Sequence, residues 1–446
     1  MATFHPREQH AFGRRELLGR GAVGLAGLSS LSTLLAACGG GDSGGGTPEL
    51  QLARADNPVT QPLFDDNPAI ASGLDPEQGP LQLYNWNGYI WPKKLKEFGK
   101  EYGVDVKLST FATLDEAIAK IASGAVDFDV FFPSPDRLGR MVLAKQLQPL
   151  NLSYIPNLQQ TVWPSLQDPF YDRGSQYTVP YVIYTTGIGY RADKVEQTPG
   201  EYPNPYDIFW EPAHKGWTWL LDDSREAITA MLLRNGITDV NTERPEVIEL
   251  AKKELLSLVD AVNVKVSTDD YTNLPEGKAW VHQAWSGSMV SAQYYLPKGV
   301  GVEVLEYWFP EDGRGAIGND TLAVLRSARN PVLAHHFLNF MLDEQNAYDN
   351  FVQFVGYQPP LVSIHPDRLV ADEVVPPNLK SAVCGRRTST RATSSSSCRR
   401  RGRHCGRTPG PSSRPARSAA EWRVRGSGLL ARPALRRRTS GSDPKV

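Results

Sequence analysis

The chain has 446 residues and a formal net charge of −1, a balance that conceals three unlike parts. Residues 384–446 hold sixteen Arg and one Lys against two acidic side chains, and residues 1–38 hold four Arg against two Glu, so the stretch between them carries −18. That acidic body repels nucleic acid and anions and attracts small cations, although a solvated acidic surface without ligand meaning fits as well; having no cysteine between Cys38 and Cys384, it also excludes a disulfide framework, a thiolate metal site and a cysteine nucleophile.

Near its start the chain carries Phe12-Gly13-Arg14-Arg15-Glu16-Leu17-Leu18, and an uncharged stretch, Gly21 to Ala37, runs to Leu35-Ala36-Ala37-Cys38. A basic region, a short apolar region and a small-residue stop make an export signal. The apolar part is too short and too rich in Gly and Ser for a transmembrane helix. The arginine pair is similar to a twin-arginine signal. Leu-Ala-Ala-Cys resembles the lipobox of bacterial lipoproteins, which implies lipid on Cys38 and an extracytoplasmic, periplasmic or cell-surface protein anchored to the membrane. Residues 39–79 follow as a tether, flexible over Gly39–Gly46 and extended beyond. Within it Gly41-Asp42-Ser43-Gly44-Gly45 looks like a serine-protease nucleophile string, but no strand context and no assignable His and Asp partners support catalysis.

Regular structure begins with a strand at Leu81–Tyr84 that ends at Asn85-Trp86. Lys93–Tyr102 reads as a helix with Leu95, Phe98 and Tyr102 on one face and Gly103 past its end. A strand over Val104–Leu108 follows, then a helix capped by Thr113 with Glu116 three residues on, and a short apolar strand, Phe128–Phe132. Alternating strands and helices predict parallel pairing in a doubly wound sheet, whose ligands bind beyond the carboxyl ends of the strands. Trp86, Thr110 and Ser134 all fall just past such ends.

After a strand-like run at Tyr181–Tyr190 the pattern restarts: strand Trp217–Leu221, a helix stopping at Gly236, helix Glu246–Val262, strand Ala279–Trp285, strand Thr321–Leu325 and helix Pro331–Leu342. Two α/β units imply two lobes around a cleft, with hinges expected near 185–187 and 317–319. From Cys384 the composition breaks into Arg, Ser, Gly and Pro with no helix or strand period, which predicts a disordered tail of the kind a shifted reading frame produces.

Five motifs occur in order: Leu83-Tyr84-Asn85-Trp86-Asn87-Gly88-Tyr89, Asp127–Val130 leading to Pro133-Ser134, Asp222-Asp223-Ser224-Arg225-Glu226, Trp285-Ser286-Gly287-Ser288 and Gly356-Tyr357-Gln358-Pro359. Together they resemble the spermidine/putrescine-binding proteins of ABC importers over about residues 80–383. The resemblance implies an α/β, two-lobed type II periplasmic-binding-protein fold, each lobe a doubly wound sheet. It sets the first lobe at 80–185 plus 320–364 and the second, incomplete, at 186–319 plus 365–383, with a polar contact near the family's C-terminus left without a counterpart by the Arg-rich tail. It implies aromatic ligand contacts at Trp86 and Tyr89, a small polar contact at Asn87, and a first-lobe contact at Ser134. Carboxylates at Asp223 and Glu226, aromatic walls at Trp285 and Tyr357, and an ammonium-holding acid at Asp320 complete the set. Gly318 departs from it, standing where the family's polyamine binders have a tryptophan, and Asp136 stands in the place of a tyrosine. The implied partners are a polyamine and a membrane permease, for a monomer that needs no cofactor and no nucleic acid.

The chemistry is coherent, since ammonium groups want carboxylates and aromatic faces. Each residue also has a plainer role. Asp223 with Glu226 reads as a helix capping box, Trp86 and Trp285 as core, and Asp320 as the end of a Gly318-Asn319 turn. The rival ligand is ferric iron or another small cation, for which Tyr294-Tyr295 supplies hard oxygen donors. A sensor lipoprotein that feeds no transporter is the third reading. An enzyme is not expected: His335 and His336 are adjacent on a helix and point apart, and the common nucleophile and phosphate-loop patterns are missing.

Overall fold

The computed structural model describes residues 49–124, 127–312, 314–385 and 393–394. The export signal, Cys38, the Gly39–Gly46 tether and most of the Arg-rich tail lie outside the described residues.

The first lobe begins β1 (Leu81–Trp86), α1 (Pro92–Tyr102), β2 (Val106–Phe111), α2 (Leu114–Ala122), β3 (Val130–Phe131) and α3 (Pro135–Leu143). Pro92 starts α1, where its missing N–H is no loss. The Thr113 hydroxyl accepts the Glu116 N–H at 3.3 Å and caps α2, as its spacing predicts. β1 pairs in parallel with both β2 and β3, so the helices between them cross over the sheet. The apolar stripe of α1 is buried: Phe98 stacks on Tyr102 at 4.5 Å and meets Phe337 edge-on at 5.1 Å. Phe337 belongs to a helix over Pro331–Met341, which returns to this lobe.

The long strand β4 (Thr178–Arg191) leads to the second lobe: β5 (Thr218–Leu220), α4 (Ser224–Arg234), α5 (Pro245–Val262), β6 (Lys265–Val266), β7 (Val281–Trp285), α6 (Ser286–Ala292) and β8 (Leu305–Trp308). Met231 and Leu232 of α4 and Ala251 and Leu258 of α5 bury against Leu220, Val281 and Ile188, forming this lobe's core. β9 (Ala316–Val324) returns to the first lobe.

Among the described residues the strands form one sheet of order β2-β1-β3-β9-β4-β7-β5-β6, with β8 also on β4. β4 is the common member. Thr178–Thr186 pairs antiparallel with β9, and Thr186–Tyr190 pairs antiparallel with β7. The two lobes expected as separate sheets are thus continuous through one strand, which changes partners at Thr186.

The structure corrects three local readings. Trp86 and Thr110, expected just past strand ends, are paired residues of β1 and β2. The strand expected from Thr321 starts at Ala316, so Gly318 and Asn319 are paired strand residues and not a turn. The cause is long-range. Residues 316–321 lie opposite β4, with Gly318 facing Tyr184, and pairing with a distant strand overrides the local turn preference of Gly-Asn.

Residues 49–79, expected to be extended, instead make two tight turns closed by the Arg54–Asn57 and Phe64–Asn67 bridges, and lie bound along the first lobe. The Val59 N–H donates to Phe170 O at 2.7 Å and the Tyr177 hydroxyl to Pro62 O at 2.7 Å. Arg54 reaches from this segment to second-lobe residues, donating to Asp239 Oδ1 at 2.8 Å and Asn241 O at 2.9 Å.

The packed chain continues one residue beyond the compositional break. Cys384 is buried, its N–H donating to Gln358 Oε1 at 2.9 Å while Gln358 Nε2 donates to Cys384 O at 3.0 Å. Further on, β10 (Thr393–Ser394) adds a two-residue strand beside Ala316–Ile317 of β9, where composition predicts no regular structure.

Candidate ligand-binding cleft

The site is laid out by strand pairing. Tyr184 on β4 faces Gly318 on β9, Thr186 on β4 faces Trp285 on β7, and Asp320 lies two residues from Gly318. Side chains two apart on a strand share a face, as do directly paired residues. Tyr184, Thr186, Asp320 and Trp285 therefore project from one face of the sheet, across the strand where the lobes meet.

Asp320 is buried, with 7% of its surface exposed. The Tyr89 hydroxyl donates to its Oδ2 at 2.7 Å. Burial pushes the Asp320 pKa up to about 7, against that hydrogen bond, and the nearby charges of Asp136 and Glu226 push the same way. Asp320 is thus a paired residue of β9, and the turn reading is set aside.

Glu226 and Asp223 divide the roles that the capping box merged. Asp223 is the exposed cap of α4, its Oδ1 accepting the N–H groups of Arg225 at 2.9 Å and Glu226 at 3.0 Å. The Glu226 carboxylate points the other way: Trp285 Nε1 donates to its Oε1 at 3.2 Å. Burial is the main reason its pKa rises to about 7, opposed by the bonds from Trp285 and Thr186 and assisted by the charge of Asp223. A helix N-terminus favours an ionised carboxylate, so desolvation here exceeds the helix-dipole benefit.

Tyrosines surround Asp320. Tyr89 meets Tyr181 edge-on at 5.6 Å and Tyr357 at 5.2 Å, and Tyr357 meets Tyr184 at 5.9 Å. The Tyr357 ring lies directly against Gly287 at the start of α6, where a Cβ would overlap it, and its hydroxyl is 3.1 Å from Ser288 Oγ. The Gly287-Ser288 pair of the fourth motif therefore seats the tyrosine of the fifth.

Asp136 is exposed near the start of α3, where Ser134 Oγ donates to its Oδ1 and Arg137 Nε lies 3.4 Å from its Oδ2. Tyr89, Asp136, Glu226, Trp285, Asp320 and Tyr357 are thus linked by hydrogen bonds, ring contacts or mutual electrostatic effects, and Ser134 joins them through Asp136. Trp86 and Asn87 stand differently. Trp86 leans on Phe111 at 4.7 Å, with its indole N–H buried and without a hydrogen-bond partner among the described residues. Asn87 is exposed in the turn after β1.

Sequence reasoning missed Tyr184, Thr186 and Asp270. The first two needed the β4 register, which no local pattern reveals. Asp270 is fully buried, its Oδ2 accepting the Trp285 N–H at 3.0 Å, and burial raises its pKa to about 7. It steadies the start of α6 from a short helical turn of unremarkable sequence. Tyr294 and Tyr295 lie in the turn after α6, with Tyr295 edge-on to Tyr271 at 5.2 Å.

The model for the family described as bacterial extracellular solute-binding protein matches residues 93–375. This chain belongs to that family. The solute-binding protein is 30% identical over 314 residues to the spermidine/putrescine-binding periplasmic protein of Salmonella typhimurium, covering 69% of this chain and 85% of the relative. It is 27% identical over 271 residues to the putrescine/cadaverine-binding protein of Pseudomonas aeruginosa, covering 60% and 75%. Among solved structures it resembles a spermidine/putrescine ABC transporter substrate-binding protein of Streptococcus pneumoniae, with TM-score 0.55, 26% identity, and 67% and 86% of the two chains covered. A lipoprotein of Treponema pallidum matches with TM-score 0.55 and 26% identity, covering 61% and 83%. The two-lobed fold implied by the motifs is thus shared with solute-binding proteins of known structure.

Proposed function

We propose that this solute-binding protein captures a linear polyamine between its lobes and delivers it to an ABC permease. The observation that carries the reading is buried Asp320, bonded to the Tyr89 hydroxyl and subject to the charges of Glu226 and Asp136, beside tyrosine rings and a Glu226 held by the Trp285 indole. Two of these acids have pKa values raised to about 7, so ionising them in the free protein is unfavourable. A bound ammonium reverses that penalty, since a buried charge is tolerated when paired. The rings of Tyr357, Tyr184 and Trp285 supply faces for ammonium and methylene groups, each contact contributing about 0.5–2 kcal/mol.

In this reading Asp320 holds one ammonium from the first lobe, and Glu226 with Trp285 holds a second from the other lobe. Asp136 and Ser134 line the cleft on the first-lobe side. Asp223 acts by fixing α4, while Trp86 and Asn87 close the end of the cleft beyond β1. The lobes are 80–185 plus 320–364 and 186–319 plus 365–383, hinged where β4 changes partners. The protein works as a monomer outside the cytoplasm, held to the membrane by lipid on Cys38. Similarity to polyamine-binding relatives over most of their length supports the ligand class.

Calorimetric titration with putrescine, cadaverine, spermidine and spermine tests the reading. Micromolar or tighter binding of at least one, about −8 kcal/mol, is expected. No heat with any amine, alongside tight binding of ferric iron, would transfer the function to Tyr294 and Tyr295.

A further inference from the structure

We infer that Tyr184 has taken over the aromatic wall beside Asp320 and is a residue that determines which amine this protein selects. The inference rests on the polyamine reading above and names a contact which neither the motifs nor the comparisons assign.

Tyr184 and Gly318 lie directly opposite each other on β4 and β9. A Cβ placed on Gly318 would lie 2.5 Å from the Tyr184 ring, far inside van der Waals contact. The two positions therefore share one volume: a large side chain at 184 requires glycine at 318, and a large side chain at 318 requires a small residue at 184. Gly318 has no positive φ and no turn to serve. Close approach of the ring is its structural reason. The chain thus keeps an aromatic group two residues from Asp320 on the same sheet face, but mounts it on β4 and not on β9.

The ring packs against the large core cluster but is not enclosed by it. Tyr184 is partly exposed, unlike its strand neighbours Val182 and Ile183, which are buried. Its other ring neighbour is Tyr357, at 5.9 Å. Burial and then the charges of Asp320 and Glu226, with a smaller push from Asp136, hold its phenol protonated well above the ordinary range. A neutral phenol in the field of three carboxylates offers a cation its π face and a ligand nitrogen its hydroxyl. An indole at 318 would offer a larger face from the opposite strand and no hydroxyl. Moving the wall changes where along the cleft an alkyl segment is gripped, and therefore the spacing of amines that fits.

The test is a set of exchanges on the full protein, titrated calorimetrically with putrescine, cadaverine, spermidine and spermine after circular dichroism confirms folding. Tyr184→Gly is expected to weaken the preferred amine about three- to thirtyfold and to flatten the differences among the four. Tyr184→Phe is expected to keep the wall and shift only the ranking. Gly318→Trp alone should bind worst, because indole and phenol cannot occupy one volume. The double variant Tyr184→Gly/Gly318→Trp should recover affinity over Gly318→Trp and rank the amines differently from wild type. If Gly318→Trp does not fold, the two single Tyr184 variants decide. Unchanged affinity and ranking in Tyr184→Gly, or a double variant no better than Gly318→Trp, would overturn the inference while leaving the polyamine reading intact. A wild-type protein that binds none of the four amines removes both.

Discussion

Replacing Asp320 by asparagine should weaken the protein's function and strengthen its fold. The substitution keeps the shape and leaves an oxygen for the Tyr89 hydroxyl, now 2.7 Å from Oδ2, but removes the charge. Stranding one member of a buried ion pair costs about 3–5 kcal/mol, so amine affinity should fall by roughly two to three decades. Stability should move the other way. Asp320 rises from 3.8 to about 7 on folding because burial disfavours its ionised form. For a carboxylate with a raised pKa, the stabilising contribution is fully present below the unfolded pKa, near 4, and is lost as pH climbs through about 7. Holding it ionised at pH 8 therefore costs roughly 4 kcal/mol at most, at 1.36 kcal/mol per unit, and Glu226 shares part of that penalty. Ligand-free Asp320→Asn should show a higher urea midpoint than wild type at pH 8, and the gap should close by pH 4. Binding within threefold of wild type with no gain in stability would refute both the placement of Asp320 and the claim that its charge is held for a cation.

Three further outcomes follow from the same geometry. Amine binding at pH 6 should release protons, because Asp320 and Glu226, both near 7 when free, ionise against the ligand; affinity should fall with pH below about 7, and equal calorimetric heats in buffers of different ionisation enthalpy would contradict this. Asp223→Ala should cost about 1 kcal/mol of stability as a lost helix cap but little affinity, whereas Glu226→Gln should cut affinity tenfold or more with little loss of stability; equal effects on both in thermal melts and titrations would mean that the two acids are not divided as described. Arg54→Ala removes a partly exposed link between the lobes, so it should change stability by less than about 1 kcal/mol yet broaden the ligand-free scattering envelope; an unchanged envelope would show that Arg54 does not restrain the lobes.

The elements most legible in the sequence were those set by local chemistry. Thr113 caps its helix, Gly103 ends another in the left-handed region, and the Leu95–Phe98–Tyr102 stripe is packed, because each depends on neighbours three or four residues away. The candidates Glu226 on a helix start, Trp285 on a strand end and Tyr357 in the loop after Gly356 are named through the family resemblance of the motifs that hold them. Two things were hidden for one physical reason. The Gly318-Asn319 pair has turn chemistry yet lies in a strand, and Tyr184 looks like any strand aromatic. Both are decided by the pairing of β4 with β9, a contact between residues more than 130 positions apart. The division of labour between Asp223 and Glu226 was hidden too, because a capping box and a cap beside a ligand carboxylate have the same spacing.

The most direct test of the central claim is a crystal structure of the protein grown with its preferred polyamine. One ammonium is expected in hydrogen-bonding contact with Asp320, a second near Glu226 and Trp285, and the methylenes against Tyr184 and Tyr357. A polyamine bound elsewhere, with Asp320 still bonded only to Tyr89, would contradict it.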